Sequence, residues 1–200
     1  MSRIVVVNNL TLDGVMQAPG RADEDPRDGF EYGGWAVPYN DQVSGQFMAS
    51  HMAGTRAILL GRRTYTDFAG YWPKQGDNPF TKVLTATPKY VASRTLDPQQ
   101  DWANTIVLDG AGGGDAVPAI SDLRSEEGGD IVIMGSGELV RSLARSNLID
   151  EYLLLIHQLA LGSGRRLFDQ EVRLSLAESL ITTTGVVIAT YRPVADGEAD

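Results

Sequence analysis

The chain alternates short apolar runs with segments in which apolar residues recur every three or four positions. The apolar runs are rich in Val, Ile and Leu and predict strands at residues 4–8, 57–60, 82–87, 90–93, 105–108, 131–134 and 151–157. The periodic segments predict helices at residues 41–53, 62–68, 116–125 and 138–145. Strands joined by helices indicate a mostly parallel sheet with helices on both of its faces.

The end of the chain follows a different pattern. Residues 174–181 and 186–191 are two strand-like runs joined by a turn near Thr184-Gly185, which predicts an antiparallel pair. We therefore predict an α/β fold of three layers, with a mostly parallel central sheet of about eight strands and an antiparallel C-terminal edge. Residues 1–194 are expected to form one domain, followed by an acidic tail at 195–200.

Residues 17–38 are rich in Gly, Pro and acidic side chains and predict a long loop. A loop of this length inside a compact domain is usually functional, often as a lid over a site.

Composition and charge narrow the classes of function. Of the 200 residues, 42% are apolar and 22% are charged, as in soluble globular proteins. No apolar run approaches the ~20 residues that span a bilayer, and we expect a cytoplasmic protein. The net charge of −9 disfavours nucleic-acid and membrane partners. Because cysteine is absent and the two histidines lie far apart, no metal site is predicted, and any redox step requires a bound cofactor.

A strand that ends in glycine and runs into a helix occurs twice. The first corner is Gly-Arg-Arg-Thr at 61–64, and the second is Gly-Ser-Gly at 135–137. A helix N-terminus presents unpaired N–H groups and a partial positive charge, and glycine lets a ligand approach the backbone closely. Two such corners in one sheet suit the two phosphates of a dinucleotide. In the structural alternative, Gly61 is only a turn and Ser136 only a helix cap.

Two further patterns in the sequence bear on nucleotide binding. The second corner lacks the complete dinucleotide fingerprint, because Val140 stands where a third glycine is expected. Thr85, Thr87 and Lys89 flank the end of a predicted strand, where they could hold a ribose or its 2′-phosphate. Pro88 fits an ordinary turn there equally well.

Two carboxylates are candidates for positioning a substrate. Asp13 follows the first strand, and Asp41 opens the first helix. Either could accept hydrogen bonds from an amino-pyrimidine edge or orient an imine for hydride attack. The alternatives are that Asp13 belongs to a common Asp-Gly turn and that Asp41 is an N-cap. His157 is either a satisfied strand residue or the border of a pocket.

Six motifs follow one another in an order that resembles a known family. They are TLDG at 11–14, GRRTY at 61–65, PKYVASRTL at 88–96, GSGEL at 135–139, LIDEY at 148–152 and LGSGRRLF at 161–168. Over residues 4–193 the chain resembles the dihydrofolate-reductase-like family, which includes the reductase domain of the bacterial bifunctional riboflavin-pathway deaminase-reductase. Members of that family commonly form dimers, so the resemblance implies a homodimer.

The resemblance implies that NADPH, or alternatively NADH, binds at the carboxyl ends of the strands. The implied cofactor contacts are Gly61, Arg62, Arg63, Thr64, Thr85, Thr87, Lys89, Gly135, Ser136, Gly137, Glu138 and Leu139. Arg94 is implied as an alternative to Lys89 at the 2′-phosphate. The substrate would lie beside Asp13 and the first helix.

The function implied is an NADPH-dependent reductase of a small heterocyclic or ribosylaminopyrimidine substrate, of the riboflavin-biosynthesis type. It would reduce a C=N or ribosylamino group. A dihydrofolate or pteridine reductase and a non-catalytic nucleotide- or pterin-binding module are the alternatives. The chain departs from the riboflavin-pathway pattern in two places, since Gly-Ser-Gly at 135–137 replaces Glu-Gly-Gly and Gln158 replaces a proline.

Overall fold

A computed structural model describes residues 1–76, 79–96, 102–108 and 115–194, and the predicted tail at 195–200 lies outside these ranges. One sheet of eight strands forms the centre of the molecule. The strands are β1 Ile4–Thr11, β2 Thr55–Gly61, β3 Lys89–Ala92, β4 Thr105–Leu108, β5 Asp130–Met134, β6 Glu151–His157, β7 Leu174–Ile181 and β8 Val187–Pro193. Their spatial order is β4-β3-β2-β5-β1-β6-β8-β7, and β8 alone runs antiparallel to the other seven strands. The predicted fold is confirmed.

Helices cover both faces of this sheet. They are α1 Gln42–Met52, α2 Arg62–Tyr71, α3 Pro79–Ala86, α4 Val117–Ser125 and α5 Gly137–Arg145. Buried residues of α4 and α5 pack with one set of strand side chains, and those of α1, α2 and α3 pack with the other set. None of the helices in the described ranges is long and apolar enough to cross a membrane.

The alternation of side chains along β1 decides what faces each layer. Ile4, Val6 and Leu10 belong to the core beneath α4 and α5, whereas Val5 and Val7 belong to the core beneath α1 to α3. Both sets are buried because β1 is a central strand of a parallel sheet. By the same alternation, the side chain of residue 8 lies on the face covered by α4 and α5, and that of residue 9 lies on the face covered by α1 to α3.

The strand predicted at residues 82–87 is wrong, because these residues belong to α3 and the turn after it. Phe80, packed against the core, and the buried Leu84 are four residues apart, which is a helical spacing. Proline is compatible with the first turn of a helix, as at Pro79, and Pro88 cannot continue one. The β-branched Thr and Val residues of this segment suggested a strand, and tertiary packing overrode that preference.

The long loop predicted at 17–38 is present and has a small core of its own. Val15, Ala18, Phe30, Trp35 and Ala36 are buried together, packed against Leu159 and Leu161. The Trp35 indole N–H donates to the carbonyl oxygen of residue 17 at 2.7 Å. The loop is therefore a folded cover, which lies beside the carboxyl ends of β1 and β6.

Candidate functional site

The structure brings the two glycine corners into contact. β2 and β5 are neighbours in the sheet, so their carboxyl ends lie side by side. The Gly61 N–H donates to the Ser136 hydroxyl at 3.0 Å, and the Ser136 N–H donates to the Thr64 hydroxyl at 3.1 Å. The two corners thus form one continuous surface at the edge of the sheet.

Backbone conformation and a buried amide fix the second corner. Gly135 and Ser136 have φ values of 57° and 53°, in the left-handed region that favours glycine. A Cβ on Gly135 would lie 3.1 Å from the Thr64 methyl group. The side-chain amide of buried Asn8 donates to the Gly135 carbonyl at 3.2 Å. The chain can approach α2 this closely only because residue 135 has no side chain.

Both corners open a helix whose first turn is available to an anion. Within the described chain, neither α2 nor α5 has a side-chain cap on its first turn. The hydroxyls of Ser136 and Thr64 already serve the amides of Gly61 and Ser136. The capacity to bind an anion therefore resides in the following first-turn amides, where the helix dipole is positive.

Positively charged side chains lie near the first corner, whereas a negatively charged side chain follows the second corner. Arg62 and Arg63 are exposed at the start of α2, and Arg62 donates to the Thr95 hydroxyl at 2.5 Å. Arg94 is exposed just beyond the carboxyl end of β3. Glu138 has a side chain that is 75% exposed and lies 3.6 Å from Arg165, so its charge is partly compensated.

Leu139 places its side chain against the hydrophobic core. Only its backbone amide, like that of Glu138, is therefore suited to contact a ligand.

Thr85, Thr87 and Lys89 lie at or before the amino end of β3, whereas the corners follow the carboxyl ends of β2 and β5. Lys89 is fully buried, and its ammonium donates to the carbonyls of Leu84, Thr85 and Thr87 at 2.7, 3.1 and 2.8 Å. The structure does not bring these three residues together with the corners. Lys89 closes the carboxyl end of α3 instead.

Asp13 is held by the chain that follows β6. Its carboxylate accepts hydrogen bonds from the Thr11 hydroxyl at 2.5 Å and from the amides of Leu161 and Gly162 at 3.2 and 2.8 Å. The Thr11 bond, followed by the backbone bonds, lowers the pKa of Asp13 despite some desolvation. The ionised Asp13 side chain therefore holds the chain after β6 in place, near the carboxyl ends of the strands.

Asp41 has a comparable structural use. One carboxylate oxygen accepts from the Ser44 amide at 2.8 Å, which makes Asp41 the N-cap of α1. The other accepts from the amide and hydroxyl of Thr183, at 2.7 and 2.6 Å, and so ties α1 to the β7–β8 turn. The Ser44 amide, then Thr183, hold the pKa of Asp41 far below its usual range. Neither carboxylate is a ready proton donor.

Sequence reasoning missed two residues that the structure places at the same edge, Asn8 and Asn9. Asn8 secures Gly135, and Asn9 contacts the ring of His157, with 2.9 Å between Oδ1 and Nε2. Two consecutive asparagines inside an otherwise apolar strand were the available signal, because buried polar side chains need partners. His157 itself borders this edge, at the end of β6.

His157 gives the fold a sensitivity to acid. Burial lowers its pKa to about 4, from 6.5 in the unfolded chain. Between these values the unfolded state binds the extra proton, so stability falls as pH drops from 6.5 towards 4, by about 2–3 kcal/mol from this residue. Urea unfolding of the wild type and of His157→Gln over this range should show a smaller loss in the variant. His51→Gln serves as control and should keep the full loss; equal slopes in all three proteins would contradict the prediction.

The covering loop, together with Met16 immediately before it, contacts both corner helices. Met16 lies against Gly137 so closely that a Cβ there would be 2.7 Å from its sulfur. Arg21 pairs with Asp67 of α2, and its guanidinium lies 4.1 Å from the centre of the Tyr71 ring. Any ligand at the corners therefore lies next to this loop.

A mostly parallel eight-stranded sheet with one reversed strand, and with paired glycine corners at its carboxyl edge, defines an α/β protein of the dihydrofolate-reductase-like class. Within that class the chain belongs to the RibD C-terminal domain family, whose match covers residues 3–188. This family is a reductase family of the riboflavin-pathway type.

Relatives and structural neighbours match nearly the whole chain. The uncharacterized Bacillus subtilis (strain 168) protein YyaP is 29% identical over 200 residues, covering 94% of each chain. A putative riboflavin biosynthesis protein from Shewanella sp. PV-4 has a TM-score of 0.65 and 19% identity, covering 96% of this chain and 99% of its own.

Two more distant structures share the fold. A pyrimidine reductase-like protein from Corynebacterium diphtheriae has a TM-score of 0.65 and 13% identity over 98% of this chain and 93% of its own. Dihydrofolate reductase from Enterococcus faecalis, complexed with NADP(H), has a TM-score of 0.60 and 13% identity over 96% of this chain and 97% of its own.

Proposed function

We propose that the protein is an NADPH-dependent reductase of a ribosylaminopyrimidine or related small heterocycle, of the riboflavin-biosynthesis type. The observation that carries the proposal is the contact between the 61–64 and 135–137 corners, at the uncapped starts of two helices. Two adjacent helix N-termini provide the donors and the positive potential that a pyrophosphate requires.

The residues at the edge fit a nicotinamide dinucleotide. First-turn amides of α2 and α5 would hold the two phosphates, and Met16, whose sulfur lies against Gly137, would border them. The exposed guanidinium groups of Arg62, Arg63 and Arg94 lie on the β2–β3 side, where a 2′-phosphate would favour NADPH over NADH. The cofactor supplies hydride to a C=N or hemiaminal-like carbon of the substrate.

The proton that accompanies the hydride would come from water or from the substrate itself. Asp13 and Asp41 are both ionised, and each carboxylate is held by several donors. Their lowered pKa values leave them unprotonated near pH 7. We therefore assign both carboxylates to positioning, Asp13 for the chain after β6 and Asp41 for α1 and the β7–β8 turn.

The test is a titration of the protein with NADPH and NADH, followed by cofactor oxidation measured at 340 nm. The expected result is tighter binding of NADPH and turnover with a ribosylaminopyrimidinone. Turnover with dihydrofolate or a dihydropteridine instead would favour the pteridine reductase alternative. No binding of either nucleotide at millimolar concentration would disprove the proposal.

A second candidate is a nucleotide- or pterin-binding module without turnover. The observation in its favour is that both candidate acids are fully engaged in structural hydrogen bonds. Binding of NADPH without oxidation in the presence of any of the three substrates would support this module.

We further propose that one domain of residues 1–194 acts in the cytoplasm as a homodimer joined through β7. This edge strand exposes Leu176 and Ile181, at 56% and 72%, and pairs only with β8 among the described strands.

Light scattering should give twice the chain mass of 21.6 kDa, and Leu176→Glu should shift the population towards monomer. Ser175→Glu places the same charge on a polar position and should shift it less. A monomeric wild type would contradict the prediction.

A further inference from the structure

Asn9 and His157 form a polar pair at the carboxyl ends of β1 and β6. Asn9 Oδ1 lies 2.9 Å from His157 Nε2. By the alternation of side chains, Asn9 is on the face of the sheet that α1 covers, and the preceding Asn8 contacts the Gly135 corner on the other face. Asn9 is therefore next in sequence to the residue that holds the second corner, with its own side chain on the opposite face of the sheet.

The contact sets the roles of both side chains once the tautomer of His157 is assigned. We assign the hydrogen to His157 Nε2, which then donates to Asn9 Oδ1, because a protonated Nδ1 would be a buried donor without a partner among the described residues. With its oxygen engaged, the carboxamide of Asn9 offers its N–H donors to a ligand. Asn9 is partly exposed, whereas His157 behind it is 2% exposed.

The surroundings of His157 keep this arrangement rigid. Its ring makes edge contacts with Trp35 and Tyr39, with centroids 5.1 and 5.3 Å apart. Among the residues that the structure describes, its buried Nδ1 has no partner. A buried polar atom without a partner is uncommon in native structures. Burial also keeps the ring neutral near pH 7, because it lowers the pKa to about 4.

We propose that Asn9, oriented by His157, donates a hydrogen bond to a ring carbonyl of the substrate, so that the site selects oxo-substituted over amino-substituted heterocycles. This inference rests on the proposed reductase function and specifies which edge of the substrate the protein recognises. His157 is a positioning residue, because it acts through Asn9. A carbonyl accepts where an amino group would place donor against donor.

The experiment compares two probes, lumazine with two ring carbonyls and 2,4-diaminopteridine with amino groups in their place. Their dissociation constants are measured by fluorescence with NADPH present at pH 7. The wild type should prefer lumazine by about 10- to 100-fold. Asn9→Asp, which offers an acceptor, should reverse the preference.

Variants of His157 separate orientation from general structure. His157→Leu should abolish the preference although Asn9 is intact, whereas His157→Gln should retain it, because a glutamine amide can donate to Asn9 Oδ1. His51→Leu, at the other histidine, should behave as the wild type. Equal affinity for the two probes, failure to bind lumazine, or a preference that survives Asn9→Asp would overturn the inference. Failure of the wild type to bind NADPH would overturn the proposed function instead.

Discussion

Ser136→Asp should weaken NADPH binding by about 100-fold or more, because it places a carboxylate where the two corners meet. Like charges brought together in a binding site cost several kcal/mol, and each 1.4 kcal/mol is about tenfold in affinity. The substitution is compatible with folding, since aspartate tolerates the left-handed conformation that residue 136 adopts at φ 53°. Dissociation constants from nucleotide fluorescence measure the effect.

Ser175→Asp is the matched control for charge. Ser175 is exposed on β7, in register with Arg192 and away from the carboxyl ends of β2 and β5. It adds the same negative charge and should leave the affinity within about twofold at ordinary ionic strength. Similar losses in both variants would mean that the net charge, rather than the corner, governs nucleotide binding.

Lys89→Met should lower stability by about 2–3 kcal/mol and the melting temperature by about 5–10 °C, with NADPH affinity unchanged. The variant removes the donor that three carbonyls at the end of α3 share. It also removes a cation that lies 4.5 Å from the centre of the Trp102 ring. Calorimetry and a nucleotide titration measure the two quantities separately.

Lys74→Met is the control for loss of a lysine, since Lys74 is exposed. It should change the melting temperature little. An unchanged melting temperature in Lys89→Met together with weaker NADPH binding would return Lys89 to the cofactor site and remove the structural role proposed here.

Ser136 and Lys89 also show which parts of the site could be predicted from the sequence alone. The corner at 135–137 was predictable because a glycine between an apolar strand and an amphipathic helix is a local signal. Lys89 was assigned to the wrong edge because the preceding segment was predicted as a strand. In that segment, the helical spacing of Phe80 and Leu84 covers only one turn. This signal is weaker than the strand preference of the β-branched residues around it.

Side-chain hydrogen bonds over long sequence distances were beyond the reach of local patterns. Asp41 satisfied the N-cap alternative, which a local motif can reveal, but its bonds to Thr183 join residues 142 positions apart. The same holds for Asn8 with Gly135 and for Asn9 with His157, at 127 and 148 positions. Such pairings depend on the strand order, in which β1 lies between β5 and β6.

Because Met16 lies against Gly137 just before the covering loop, the fluorescence of Trp35 in that loop should report on a ligand at the corners. Trp35 is anchored to the backbone of residue 17, the neighbour of Met16, and its indole is almost wholly buried. We expect a nucleotide bound at the start of α5 to contact Met16 and, through residue 17, to change the surroundings of that indole. Occupancy can then be followed from the protein's intrinsic emission in the unlabelled chain, with Trp35→Phe identifying the part of the signal that belongs to the loop.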